Sequence, residues 1–213
     1  MTEALTLIER AGDVCIVTLN RDPKLNTLTP EMLGELEAHG RAIDADRDIR
    51  VVILTGAGSR AFCVGADITQ WAALDALDMW RQWVKRGHQV FDQWARLRQP
   101  VIAAINGHAF GGGLELAISG QRLSATQALH AGLVHEVVEP DALMARAKAL
   151  AADMATKAPI SLQLTKQLVN AATGEDRDAV LEAMAGALAA STQDAAEGIA
   201  SFKEKRKAAY VGR

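Results

Sequence analysis

The chain has few of the residues that mark several specialised classes of protein. Its 213 residues include two cysteines, Cys15 and Cys63, which is too few for a disulfide framework and fits a reducing, cytoplasmic compartment. A net charge of −3 gives no electrostatic basis for binding nucleic acid or an anionic membrane surface. No apolar run is long enough to cross a bilayer, and the five histidines lack metal-ligand spacing, so we expect no metal site.

The remaining composition is that of an ordinary globular protein in which strands alternate with helices. Apolar residues make up 49% of the chain, and its mean hydropathy is +0.04. Short apolar runs predict strands at 6–9, 13–20, 51–55, 101–106 and 133–138. Capping signals and helical spacing predict helices at 30–46, 68–98, 124–132, 141–156, 159–172, 176–190 and 192–207. This order predicts an α/β fold with crossover connections, followed by a helical C-terminal third.

One stretch combines a buried strand, three consecutive glycines and an acidic helix start. It runs from Val101 to Ser119 and reads VIAAINGHAFGGGLELAIS. Unpaired N–H groups at the start of a helix attract negative charge. Glu115 lies about one helical turn after Gly112, on the same face. Backbone donors beside a carboxylate are the parts needed to enolise a carbonyl compound, although the glutamate alone would also complement the helix dipole.

A second loop of small residues follows the predicted strand at 51–55. It reads GAGSRAFCVGADI, from Gly56 to Ile68. Glycine and other small residues let a backbone approach a ligand closely. We interpret Asp67 here chiefly as the N-cap of the next helix, and Cys63 as a small packed side chain rather than a nucleophile.

Together these loops resemble the crotonase superfamily, the enoyl-CoA hydratases and isomerases. The resemblance rests on AFCVGADI and INGHAFGGGLELA, and it extends to NRDPKLNTLTPEML, LSATQALHAGLVHEVV and FKEKRKAAYVGR, in the same order. It implies a crotonase-type spiral of ββα units at 1–138 and a C-terminal helical trimerisation region at 139–213. The partners implied are an acyl-CoA thioester substrate and further copies of the chain, in a homotrimer or a dimer of trimers.

The resemblance also implies which residues carry the chemistry. The backbone N–H groups of Val64, where the family usually has alanine, and of Gly112 would hold the thioester oxygen, and Glu115 would be one of two hydratase carboxylates. The CoA channel would be lined by Lys24, Leu25, Gly65, Ala66, Asp67, Ile68 and Gly111. Phe202 and Lys205 are candidates for reaching the CoA phosphates. No redox cofactor or metal is implied, since CoA is part of the substrate.

Two other residue types in this region have simpler interpretations. His108 lies in the turn that leads into the three glycines, here called the glycine turn. Because the sequence offers this histidine no acidic partner, we expect it at the rim of the site rather than in catalysis. The tryptophans of the predicted helix at 68–98 are expected to pack in the core, with a wall against the acyl chain as the alternative. They are Trp71, Trp80, Trp83 and Trp94.

The chain departs from the family after Gly120. Relatives carry roughly 45 further residues there, including the second glutamate, whereas this chain passes directly to Gln121. Either the protein lacks that segment, or the printed sequence omits a mobile stretch. We favour an omitted stretch, because removing a layer of the spiral would open the core at a cost comparable with the whole stability of a domain.

On that interpretation the sequence predicts an enoyl-CoA hydratase, a lyase of fatty acid metabolism. If the segment is truly absent, one carboxylate must do the work of two. The alternatives are then an enoyl-CoA isomerase or a non-catalytic acyl-CoA-binding homologue.

Overall fold

The computed structural model describes residues 4–110, 123–172, 181, 188 and 190–212. They fall into two compact units, Met1–Gln163 and Leu164–Arg213. The first unit contains the described strands, and in the second the described residues are helical apart from turns and the tail.

A four-stranded sheet forms the centre of the first unit. Its strands are β1 (Thr6–Ala11), β2 (Val14–Leu19), β3 (Val51–Gly56) and β5 (Val101–Ala104), in the order β1-β2-β3-β5. β1 and β2 form an antiparallel hairpin whose turn contains Gly12 at a positive φ of 66°, a conformation that favours glycine. β2, β3 and β5 are parallel, so helices must connect them, as the sequence predicts.

A second, smaller sheet pairs β4 (Ala61–Cys63) with β6 (His108–Ala109) in parallel. Each of its strands follows a strand of the larger sheet along the chain. β4 comes five residues after β3, and β6 comes four residues after β5. Cys63 therefore lies in a buried strand and not in the loop where the sequence interpretation put it.

The helices account for most of the other described residues. They are α1 (Pro30–Ala45), α2 (Ile68–Trp71), α3 (Ala76–Asp78), a π-helical turn (Met79–Val84), α4 (Lys85–Ala95), α5 (Ala125–His130), α6 (Leu143–Ala155), α7 (Pro159–Ala172) and α8 (Gln193–Glu204). Short 3₁₀ turns lie at Asp22–Lys24 and Pro140–Ala142. α1 begins as predicted, because Thr29 accepts a hydrogen bond from the N–H of Met32 at 3.2 Å and Pro30 is the first helical residue.

The two faces of the larger sheet have different cores. On one face Val17 and Val52 pack with α1 and α4, where the indole N–H of Trp94 donates to the carbonyl of Leu36 at 3.0 Å. Trp83 packs against the same cluster, so the expected core role is confirmed for Trp83 and Trp94. The side chains of Trp71 and Trp80 lie outside the described residues.

The opposite face is covered by one side of α6. Ala147, Ala151 and Ala155 are buried there against Ile16, Ile53 and their neighbours. Spacing of four residues puts the three methyl groups on one stripe of the helix. Because α6 belongs to this core, the first compact unit extends to Gln163. The division at residue 138 into a spiral core and a trimerisation region stays a prediction.

The strand predicted at 133–138 is wrong. The segment has no regular secondary structure, and Leu133 and Val137 are exposed. A short apolar run becomes a strand only where a neighbouring strand satisfies its backbone. Among the described residues, no strand pairs with this segment.

The alanine stripe of α6 predicts a strong size limit at position 151. We expect Ala151→Leu to lower the free energy of unfolding by about 1–3 kcal/mol, because the added methylenes have no space between helix and sheet. Ala152→Leu is the matched control, since Ala152 is exposed one residue away. Urea denaturation followed by circular dichroism measures both. Equal stability of the two variants would contradict the packing of α6 on the sheet.

Candidate active site

The ends of β4 and β6 bring the two predicted site segments together. The N–H of His108 donates to the carbonyl of Arg60 at 3.0 Å, and the N–H of Phe110 donates to the carbonyl of Cys63 at 2.9 Å. Because the strands are parallel, the chain leaves both of them at the same edge of the sheet, where ligands of open parallel sheets characteristically bind. Val64, the residue after Cys63, therefore lies beside Phe110, the residue before the three glycines.

Gly107 permits this close pairing. A Cβ built on it would lie 2.5 Å from the carbonyl carbon and oxygen of Arg60, which is closer than real side chains approach a backbone. Only glycine fits without moving one of the strands. Gly111, Gly112 and Glu115, which the resemblance places in the site, lie outside the described residues.

A third segment, residues 25–28, runs beside the end of β4. The N–H of Leu28 donates to the carbonyl of Gly65 at 2.8 Å, and the N–H of Asp67 donates back to the carbonyl of Leu28 at 2.9 Å. Leu28 also bridges to Ala66 in parallel. The structure thus places two of the predicted CoA-channel segments side by side. At their ends Lys24 closes an exposed 3₁₀ turn and Ile68 is 74% exposed.

The backbone N–H of Val64 points at a protein carbonyl in this structure. It donates to the carbonyl of Leu25 at 3.3 Å. That distance is longer than the usual N–H···O distance of about 2.9–3.0 Å, so the bond is weak. A ligand oxygen could take this N–H only by displacing the carbonyl of Leu25, and the role of Val64 as a donor to substrate stays a prediction.

Asp67 fixes the next turn of the same segment. Its carboxylate accepts from the N–H of Thr69 at 3.0 Å, so the predicted N-cap is confirmed, and it accepts from Arg21 at 2.6 Å. Both side chains of the ion pair are largely buried. The hydrogen bond from Arg21 is the main cause that lowers the pKa of Asp67. Arg21 also donates to the hydroxyl of Thr27 at 2.6 Å, which ties the pair to the segment at 25–28.

The sequence interpretation missed Asn26. Its side chain is fully buried and donates to the carbonyls of Ala57 and Ala61 at 3.0 and 2.8 Å, while it accepts from the N–H of Arg21 at 2.9 Å. Asn26 also has a positive φ of 54°, which asparagine tolerates better than most residues. The available signal was an asparagine after Asp-Pro-Lys-Leu, since asparagine is typical of such turns.

His108 and Cys63 have the non-catalytic roles that the sequence predicts. His108 is exposed and stacks on Phe110, with ring centroids 5.5 Å apart, which fits a position at the rim. Burial raises the pKa of the Cys63 thiol, so Cys63 is a packed side chain and a poor nucleophile at neutral pH.

Phe202 and Lys205 lie in the second unit. Phe202 is 85% exposed near the end of α8, and Lys205 closes that helix in a left-handed conformation. The next residue, Arg206, binds Glu197 and Glu204 and so holds the start of the C-terminal tail against α8. A contribution of Phe202 and Lys205 to CoA binding stays a prediction.

The described part of the chain contains neither a candidate metal site nor a helix that could span a membrane. No group of three or more His, Cys, Asp or Glu side chains there could hold a metal ion. None of the helices described is long and apolar enough to span a membrane.

Comparison with known proteins identifies the family. A family model described as enoyl-CoA hydratase/isomerase matches residues 9–120 and 115–213. The chain belongs to the enoyl-CoA hydratase/isomerase family. It is 32% identical to a short-chain-enoyl-CoA hydratase of Clostridium acetobutylicum, over 94% of this chain and 95% of that protein. It is 31% identical to an (E)-benzylidenesuccinyl-CoA hydratase of Thauera aromatica, over 96% of this chain and 98% of the relative.

The fold of the family is confirmed by solved structures. An enoyl-CoA hydratase from Bacillus anthracis superimposes with a TM-score of 0.77 at 29% identity, covering 99% of this chain and 100% of that one. The prediction of an α/β fold of the crotonase type is therefore correct.

The family match also bears on the segment after Gly120. The model matches in two pieces that meet at residues 115–120, and the alignment with the Clostridium hydratase spans 249 positions for a chain of 213 residues. Both observations agree with a family segment that has no counterpart here. In the full sequence of 213 residues Gln121 follows Gly120 directly, without the family's additional segment. The expectation of an omitted mobile stretch is therefore wrong, because the shortness belongs to the chain itself.

The buried ion pair predicts a pH-dependent contribution to stability. We expect Asp67→Asn, which keeps an N-cap, to lower the free energy of unfolding at pH 7 by about 1–2 kcal/mol. Because the pKa of Asp67 is lowered in the folded protein, the parent gains this stabilisation above the ordinary pKa of about 3.9 and loses it as pH falls further. The difference between parent and variant should therefore shrink between pH 7 and pH 3 in urea denaturation.

The control for this experiment is Asp92→Asn, which removes an exposed pair with Arg96. Exposed pairs are worth about 0–1 kcal/mol, so little change is expected at either pH. A difference at Asp67 that is the same at both pH values would contradict the assigned role of its charge.

Proposed function

We propose that this protein is an enoyl-CoA hydratase, which adds water across the 2,3 double bond of an enoyl-CoA thioester. The observation that carries the proposal is the parallel pairing of β4 and β6, which brings Val64 beside the entry to the glycine turn. Hydratases about 30% identical over nearly the whole chain support the same activity.

In the proposed mechanism the thioester oxygen lies between the backbone N–H groups of Val64 and Gly112. These donors stabilise the negative charge that develops on this oxygen, and comparable donors contribute about 3–4 kcal/mol each to the transition state. Glu115 takes a proton from the water whose oxygen bonds to C3, and it returns that proton to C2 as the enolate collapses. CoA enters as part of the substrate, so the proposal includes no separate cofactor and no metal. The side chain of Val64 adds bulk beside the acyl group.

The shortness of the chain favours a second candidate, an enoyl-CoA isomerase that uses Glu115 as its single base. Among the described residues after Gly120, the first acidic residue along the chain is Glu136. Its carboxylate forms an ion pair with Arg146 at 2.9 Å on an exposed surface. A protein that binds acyl-CoA without turnover is the remaining alternative. It would keep the backbone donors and lack a complete set of proton-transfer groups.

One assay separates the three functions. With crotonyl-CoA, a hydratase removes the conjugated double bond and its absorbance falls. An isomerase leaves crotonyl-CoA unchanged and creates conjugation in a 3-enoyl-CoA. A binding protein does neither, although acyl-CoA still raises its Tm. Intact mass must accompany the assay, and a value near 22.7 kDa shows that the protein assayed is the chain described here.

The proposed role of Glu115 makes a prediction about kinetics. We expect Glu115→Gln to lower kcat by about 100-fold or more while KM changes little, because general acid–base groups typically contribute 10²–10⁴-fold. Glu136→Gln is the matched control, since that carboxylate is exposed and paired outside the site, and its kcat should stay at the parent value. Unchanged turnover in Glu115→Gln would exclude the assigned role.

We also propose a homotrimer or a dimer of trimers that works in fatty acid metabolism in the cytoplasm. Within the second unit, large apolar side chains are exposed on α7 and α8, as expected of a surface that another subunit covers. They are Leu168, Val169, Ile199 and Phe202. Light scattering of the purified protein gives the number of subunits, and a monomer would contradict this part of the proposal.

A further inference from the structure

We infer that Asn26 is a positioning residue of the candidate active site, which sets the direction of the Val64 N–H without touching substrate. The inference rests on the proposed function, in which that N–H holds the thioester oxygen. It goes further by naming the side chain that holds the donor in place.

The first observation is that the Asn26 side chain joins three pieces of backbone. Its amide nitrogen donates to the carbonyls of Ala57 and Ala61, and its amide oxygen accepts from the N–H of Arg21. These partners lie in the loop after β3, in β4 and in the turn after β2. A fully buried amide with both kinds of group engaged is a rigid connection, because losing one partner leaves another polar group unpaired away from water.

The second observation is that the packing around this amide leaves no room for adjustment. A Cβ built on Gly56 would lie 2.7 Å from the Asn26 amide nitrogen and 2.6 Å from the carbonyl oxygen of Phe62. Gly56 is the last residue of β3. The asparagine therefore lies directly against the end of a central strand, and its position is fixed by the sheet.

The third observation connects Asn26 to the donor. Leu25 and Asn26 both have a φ of 54°, and this left-handed pair turns the carbonyl of Leu25 toward the N–H of Val64. Two residues further on, Leu28 pairs with Gly65. Asn26 thus holds β4 just before Val64 through Ala61, and it lies within the segment that meets Val64 and Gly65. The direction of the Val64 N–H follows from these two connections.

The same geometry gives Asn26 an effect on rate rather than on affinity. An oxyanion donor must point to where charge develops, and a displacement of about 1 Å can cost about 100-fold in rate. Substrate binding depends on many other contacts. A loosened Val64 N–H should therefore lower kcat far more than it raises KM.

The test compares two isosteric substitutions of buried amides. Asn26→Asp keeps the size, the tolerance of a left-handed backbone and the acceptor for Arg21, but it loses both N–H donors. Gln99→Glu is the matched control, because Gln99 is also fully buried and donates to two backbone carbonyls, of Ile43 and Ile49. Those carbonyls belong to the end of α1 and the turn after it, away from β4.

Two readouts are measured on both variants. In kinetics with crotonyl-CoA, or a 3-enoyl-CoA if the protein is an isomerase, we expect kcat of Asn26→Asp to fall at least about 10-fold with KM within about threefold. Gln99→Glu should keep kcat within about twofold even if its Tm falls equally. In amide hydrogen exchange, the N–H groups of Val64 and its neighbours should exchange at least about 10-fold faster only in Asn26→Asp.

A second variant guards against a simple loss of folding. Asn26→Gly keeps the left-handed backbone and introduces no buried charge, and the same pattern is expected. The inference would be overturned if the Asn26 variants kept the kcat of the parent, or if hydrogen exchange at Val64 were unchanged. It would also be overturned if kcat fell together with Tm to the same extent in the variants of Asn26 and Gln99. Failure of both Asn26 variants to fold while Gln99→Glu folds would make Asn26 a folding residue and would also overturn it.

The two readouts separate this inference from the proposed function. If the parent protein turns over neither substrate, the proposed function fails, whereas hydrogen exchange still decides whether Asn26 holds the Val64 N–H. If the parent is active and exchange at Val64 is unchanged in the variants, the function stands and the inference fails.

Discussion

Parallel hydrogen bonding between β4 and β6 is the constraint on which the candidate site depends. These strands are only three and two residues long, yet they determine that the chain leaves the sheet twice at one edge. Their pairing depends in turn on Gly107, where any side chain would collide with Arg60. The chemistry proposed for backbone donors therefore rests on backbone geometry, and the side chains contribute mainly by leaving space for it.

Local signals made parts of this arrangement predictable from the sequence. Thr29 before Pro30 and Asp67 before Ile68 are capping patterns whose side chains act within three residues, and both caps are present. Buried parallel strands such as β3 were predictable because both of their faces are apolar. The two glycine-containing loops could be assigned to one site only through the family resemblance, because the hydrophobic periodicity of a sequence does not show which distant loops lie close together.

The features that sequence reasoning missed depend on contacts between distant residues. The residues around Asn26 in the sequence indicate only a turn. Its buried side chain links separate segments because the carbonyls of Ala57 and Ala61 lie close to it in the fold. The segment at 133–138 has strand-forming composition but no neighbouring strand in the described structure. Propensity was outweighed there by the missing partner. Likewise, α6 could be assigned to the sheet only once its alanine stripe was seen against Ile16 and Ile53.

The alanine stripe also determines how this protein can vary over time. Side chains of one carbon let the α6 backbone lie close to the sheet along the stripe, where they meet Ile16 and Ile53. The opposite core, with Met32, Leu33 and Trp94, can exchange volume between neighbours and repack. Along the stripe α6 itself buries only alanines, so a larger residue there can be compensated only by a smaller one on the sheet, for example at Ile16 or Ile53. Mutations that accumulate neutrally in α6 should therefore be confined to its outer surface, and one helix would carry a conserved and a freely drifting face side by side.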